Sequence, residues 1–115
     1  MEHRDVFFLE SIVEYCDRIF LALREYDIDE QKFYSNQLLQ DMLAFSIIQI
    51  GENAVELSDT FTSSHPEIEW NKIIGFRNNI VHDYGDFIPE ILWEAIHTKV
   101  PELRKYCASI IGLDA

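Results

Sequence analysis

The sequence predicts an all-α fold: an antiparallel bundle of about four to five helices, forming one domain over residues 1–115. Three observations carry this. Apolar residues recur every three or four positions along most of the chain, and no stretch alternates with period two. Only 4 Gly and 3 Pro are present, too few turn formers for a β sandwich or barrel. The chain is 48% hydrophobic and 13% aromatic, which supports a packed core and excludes a disordered chain.

Val6, Leu9, Ile12/Val13, Cys16, Ile19/Phe20 and Leu23 place a first helix over about Asp5 to Tyr26. Asp27-Ile28-Asp29-Glu30 reads as a connector with a solvated acidic face. Leu39, Leu43, Ile47, Ile50, Ala54, Leu57 and Phe61 form a second stripe, read as one helix. Leu38, Met42, Phe45 and Ile48 widen it, so this helix is expected to be buried on more than one side. Gly51 lies inside it, where glycine costs about 1 kcal/mol against alanine. Close approach of another helix, ahead of a ligand, is the expected compensation. Asp59 to Pro66 reads as a polar loop. Ser64, with Glu67 three residues on, reads as the cap of a third helix over about Glu67 to His82. Its apolar positions are Trp70, Ile73/Ile74, Phe76 and Ile80/Val81. Tyr84-Gly85-Asp86 breaks the pattern, and Asp86 can cap a fourth helix from about Phe87 to Lys99. Pro101 suits the first turn of a further helix, whose core face is Leu103, Tyr106/Cys107 and Ile110/Ile111.

The net charge is −12, from 9 Lys+Arg against 21 Asp+Glu. Such a field repels phosphate, so general binding of nucleic acid or anionic membrane is excluded and any nucleic-acid role must rest on a local site. Cys16 and Cys107 form no CxxC pair and fall on apolar faces, so they are expected as buried thiols. His3, His65 and His97 share no ligand spacing, and no metal site is expected. No run approaches the roughly 20 apolar residues of a membrane span, and the N-terminal apolar run is too short for a signal peptide. These features predict a soluble, cytoplasmic protein.

Charge is uneven along the chain. Residues 1–69 carry 15 acids and 4 bases, whereas residues 70–84 carry Lys72 and Arg77 against Asp83. That least acidic window also holds the densest functional side chains: Arg77-Asn78-Asn79-Ile80-Val81-His82-Asp83-Tyr84. On a helix, Asn78 and His82 share a face, while Arg77 and His82 diverge by about 140°. One helix therefore does not aim both at one atom. Either the long Arg77 side chain reaches round, or a second copy of the helix completes the site. Read as structure alone, His82 is a surface or satisfied core histidine, and Arg77 and Tyr84 snorkel at a helix end.

Arg77-x4-His82-x-Tyr84 resembles the Arg-x4-His-x-Tyr motif of the HepT-like group of the HEPN-domain superfamily. Ile50-Gly51-Glu52, the run His65-Pro66-Glu67-Ile68-Glu69-Trp70, and Trp93 to Leu103 also resemble the group's pattern. Asn78 supplies the polar residue usual after the arginine. The likeness covers essentially the whole chain and is most specific over residues 47–106. It implies a homodimer with the motif at the subunit interface and a metal-independent endoribonuclease acting as the toxin of a toxin–antitoxin pair. It further implies a small nucleotidyltransferase antitoxin that transfers AMP to Tyr84. No cofactor is implied beyond that covalent AMP.

The residue chemistry fits such a reaction. Histidine titrates near working pH and serves as base or acid. Arginine is always charged and forks two donors onto phosphate oxygens. The expected roles are His82 in proton transfer, Arg77 on the transition-state phosphate, and Asn78 fixing the His82 ring or holding a phosphate. Glu52 either faces the motif groove or forms a salt bridge. The alternative function is a non-catalytic subunit that binds nucleotide or substrate for a nucleotidyltransferase.

Overall fold

A computed structural model of the chain describes residues 1–82 and 88–113, and every described element is helical. Seven helices are present among these residues: α1 (His3–Glu25), α2 (Glu30–Tyr34), α3 (Gln37–Val55), α4 (Asp59–Ser64), α5 (Trp70–His82), α6 (Pro89–His97) and α7 (Lys99–Ile110). The extra elements relative to the four or five expected are the short α2 and α4. The expected break at Tyr84-Gly85-Asp86, the Asp86 cap and the Phe87 helix start lie outside the described residues.

α1 buries Leu9, Ile12, Val13, Cys16 and Ile19, the stripe its sequence predicts. It ends where Asp27 takes φ 50°, the left-handed region that aspartate tolerates better than most residues. Buried Ile28 then donates its N–H to the Leu23 carbonyl at 2.9 Å, closing the turn. The supposed connector continues into α2, capped by Asp29, whose carboxylate accepts from the Lys32 N–H at 2.7 Å. α2 sets fully buried Phe33 against the core. Five residues are too few to show a helical period in sequence.

The second predicted helix divides in two. α3 stops at Val55, and Leu57 and Phe61 reach the core from a separate turn and helix. The cause is a residue 53 positions away. Buried Asp5 accepts from the Ser58 N–H at 2.8 Å and from its hydroxyl at 2.7 Å. The Ser58 Oγ in turn accepts from the Phe61 N–H at 3.1 Å and caps α4. An N–H that a continuing helix would need is thus taken by Asp5. The span read as a loop is largely α4.

α5 begins three residues later than predicted. Ser64 closes α4, its hydroxyl donating to the Thr60 carbonyl at 2.8 Å, and caps nothing downstream. Glu67 instead accepts from the Tyr106 hydroxyl at 2.6 Å, which ties this segment to α7. Ile68 is buried, and the Trp70 indole donates to the His65 carbonyl at 3.0 Å. α6 opens with Pro89 in its first turn, and Pro101 is the third residue of α7, where a missing N–H is harmless.

α3 packs against α1 on one side and α5 on the other, α1 also packs on α7, α6 lies on α7, and α2 bridges α3 and α6. Arg4 beside Glu56 and Tyr15 beside Phe45 show that α1 and α3 run antiparallel. Cys16 and Cys107 are free and fully buried. Burial pushes the Cys107 thiol up to about 12 and the Cys16 thiol higher still. No helix among the described residues is long and apolar enough to cross a membrane.

One face departs from the sequence expectation. Leu38, Met42 and Phe45 on α3 are 77%, 36% and 53% exposed. The single chain therefore buries α3 on its α1 and α5 sides and leaves this apolar strip uncovered.

Candidate active site

α5 is fixed at both ends by core residues. Trp70 packs edge-on against Phe61 at 5.7 Å, and Ile80 is fully buried. Between them Arg77 and Asn78 are half-buried, and His82 is exposed in the last turn.

Arg77 leaves α5 toward α3, where it meets Gly51. A Cβ at position 51 would overlap the Cβ and Cγ of Arg77. Gly51 thus lets an arginine stem lie directly on the α3 backbone, the close approach its mid-helix position implied. The guanidinium then meets two partners. Nη2 forms an ion pair with Oε1 of Glu52, the next residue on α3, and Nη1 donates to Oδ1 of Asn78. The pair with Glu52 is one of proximity: Oε1 makes no hydrogen bond of regular geometry, and Nε of Arg77 is buried without an acceptor among the described residues. The Arg77 side chain remains 25% exposed and that of Glu52 44%, so solvent still reaches the pair. Of the two possibilities the sequence left open for Glu52, the structure shows the ion pair.

Asn78, expected to fix the His82 ring or to hold a phosphate, accepts from Arg77 through its carbonyl oxygen, and no hydrogen bond joins it to His82 among the described residues. The arginine needs an acceptor beside it, and the adjacent amide supplies one. Tyr84, the expected modification site, lies outside the described residues.

The other histidines serve packing. His65 stacks on Phe61 at 4.1 Å with Nδ1 2.8 Å from the Phe61 carbonyl. His97 lies on Trp93 at 4.1 Å with Nδ1 2.9 Å from the Trp93 carbonyl. Among the described residues no three His, Cys, Asp or Glu side chains converge as a metal site. An apolar cleft of about 240 Å³ runs between α3, α5 and α7, lined by Ile47, Ile50, Ile73, Phe76, Val100 and Leu103 among others. No residue of the Arg77–His82 cluster lines it.

The chain matches the family model described as ribonuclease HepT-like over residues 9–110. It is 31% identical over 104 residues to a provisionally named RNase of Caldanaerobacter subterraneus subsp. tengcongensis, covering 90% of this chain and 91% of that protein. A provisionally named RNase of Methanocaldococcus jannaschii is 27% identical over 106 residues, covering 91% and 95%. A provisionally named ribonuclease HepT of Thermococcus cleftensis is 26% identical over 102 residues, covering 89% of each. No solved structure matches the chain. With a match across nearly its whole length and an all-helical fold, the chain belongs to the ribonuclease HepT-like family.

Proposed function

We propose that this protein is a metal-independent endoribonuclease, the toxin of a toxin–antitoxin pair, and that two copies form its active groove from Arg77 and His82. The observation that carries the reading is the Arg77 cluster: within a ribonuclease-family fold, a guanidinium sits at the α3–α5 boundary on the Asn78 side of α5, with His82 exposed four residues beyond Asn78.

In the proposed reaction one His82 takes the proton of the ribose 2′-hydroxyl as that oxygen attacks phosphorus. His82 of the partner subunit gives a proton to the departing 5′-oxygen. Arg77 holds the charge that builds on the phosphoryl oxygens. The bond formed is 2′-O–P and the bond broken is P–5′-O, leaving a 2′,3′-cyclic phosphate and a 5′-hydroxyl. Water is not consumed in this step, and no electron changes hands.

The uncovered strip on α3 supports the second copy. Leu38, Met42, Phe45, Gln49 and Glu52 follow one another at spacings of 4, 3, 4 and 3, the seam of a helix that packs against another helix. Its apolar members are exposed, and its last member is the ion-pair partner of Arg77. A copy docked on this seam reaches the edge of the motif.

Tyr84 stands two residues past His82 in sequence. AMP transferred from ATP to its hydroxyl by a nucleotidyltransferase antitoxin, with the phenol proton lost and pyrophosphate released, adds bulk and a phosphate that competes with RNA for Arg77. Two products test the reading. RNA cut by the unmodified protein is expected to end in cyclic phosphate. Incubation with the partner and ATP is expected to add the mass of one AMP unit, and Tyr84→Phe to abolish that gain. Mononucleotide binding without cleavage would replace this reading with the non-catalytic partner-subunit function.

A further inference from the structure

The stem of Arg77 and the ring of His82 leave α5 in directions about 140° apart, yet a phosphate between them must be reached by both. The structure shows how the chain handles this divergence. Arg77 and Asn78 are successive residues, so their side chains leave the helix about 100° apart. Asn78 shares its stripe with His82. Nη1 of Arg77 donates to Oδ1 of Asn78, so the guanidinium, at the α3–α5 boundary, is joined to the stripe that carries His82. Two residues of α3 hold it there. Gly51 lacks the Cβ that would collide with the first two carbons of the Arg77 stem. Glu52 places its carboxylate against Nη2 and holds the head at α3.

We infer that Gly51 and Glu52 are positioning residues for the proposed nuclease: together they fix the Arg77 guanidinium at the α3–α5 boundary, where it meets the Asn78 amide on the stripe of His82. The inference rests on the reading of Arg77 and His82 as the active site. Gly51 sets the distance between α3 and α5 at this point, and Glu52 sets the direction of the head. Neither touches the reacting atoms. Glu52 acts by charge, and its 44% exposure leaves room for RNA phosphate to take over the outer guanidinium edge.

The test uses full-length protein and one labelled RNA, with kcat and KM measured separately. Arg77→Ala is expected to lose most of its cleavage and keep a measurable residual rate. Glu52→Gln keeps the size and removes the charge, and is expected to lower kcat by about tenfold to a hundredfold, the range for a reacting group displaced by about 1 Å. Its KM is expected to stay within about twofold of the parent, because binding in the ground state is spread over other contacts. Glu52→Asp restores the charge and should recover part of the loss. The double variant Arg77→Ala/Glu52→Gln should be no slower than Arg77→Ala alone, since Glu52 acts only through Arg77. A merely structural role would show in the melting temperature and would add to the Arg77 loss. Full cleavage by Arg77→Ala removes the proposed active site itself. Loss in Arg77→Ala with an unchanged or raised kcat in Glu52→Gln leaves that site standing and overturns the positioning role, as would additive losses in the double variant.

Discussion

Two mid-helix glycines in the same pair of helices give opposite predictions when each is changed to alanine. In an open helix interior the change gains about 1 kcal/mol from backbone propensity. At Gly75 on α5 a new Cβ meets no atom of the described residues within 4 Å, so the full gain is expected. At Gly51 on α3 the new Cβ overlaps two carbons of Arg77, and these are the base of the side chain rather than its flexible end. Overpacking of this kind costs about 1–3 kcal/mol. Set against the propensity gain, Gly51→Ala is expected to lie between neutral and about 2 kcal/mol less stable than the parent. The two variants should then differ by about 1–3 kcal/mol, or several degrees of melting temperature for a domain of this size. Urea denaturation followed by circular dichroism measures both under one condition. Equal stabilisation by the two substitutions would refute the claim that Arg77 lies on the backbone at Gly51.

Three further outcomes follow from the packing. Asp5→Ala strands the Ser58 N–H that Asp5 accepts and should cost about 3 kcal/mol in denaturation, with Asp5→Asn losing less because its amide oxygen still accepts. The buried thiols stay protonated in the folded chain, so their contribution is complete below the ordinary thiol pKa of about 8.5 and is lost as pH rises, toward about 12 for Cys107, by about 1.4 kcal/mol per thiol per pH unit. Tyr106, pushed up to about 12 by burial and by Glu67, acts in the same direction above its ordinary value, so a stability profile flat from pH 8 to 11 would contradict the burial of these groups. Phe45→Glu should leave the monomer folded, since the ring is 53% exposed, and should shift sedimentation from dimer to monomer; a parent that already sediments as a monomer would rule out the α3 seam as a subunit contact.

What the sequence disclosed tracks the range of the forces involved. The core stripes of α1 and α7 were legible because a period of three to four residues reports burial directly, and Leu9, Ile12, Cys16, Leu103 and Cys107 are where that period puts them. The division of α3 from α4 was not, because it depends on Asp5 capturing Ser58 from across the fold. Periodicity also cannot say which apolar stripe is covered by the same chain. Leu38, Met42 and Phe45 share α3 with the core residues, and only the packing shows them exposed. At the site, the motif singled out Arg77, Asn78 and His82, and the odd glycine announced a close approach without naming its partner. That partner is Arg77, so the glycine and the motif arginine, 26 positions apart in sequence, form one contact. The engagement of Asn78 by Arg77 follows from their adjacency in the chain, a choice that spacing alone leaves open.

The most direct measurement of the central claim is the cleavage rate of one labelled RNA in EDTA, by the parent protein and by His82→Ala, after mass analysis confirms an unmodified Tyr84. The proposed mechanism predicts metal-free cleavage by the parent and a loss of about 10²–10⁴-fold in His82→Ala, the usual contribution of general acid–base catalysis. Cleavage by His82→Ala at the parent rate, or cleavage by the parent only when divalent cations are restored, would contradict it.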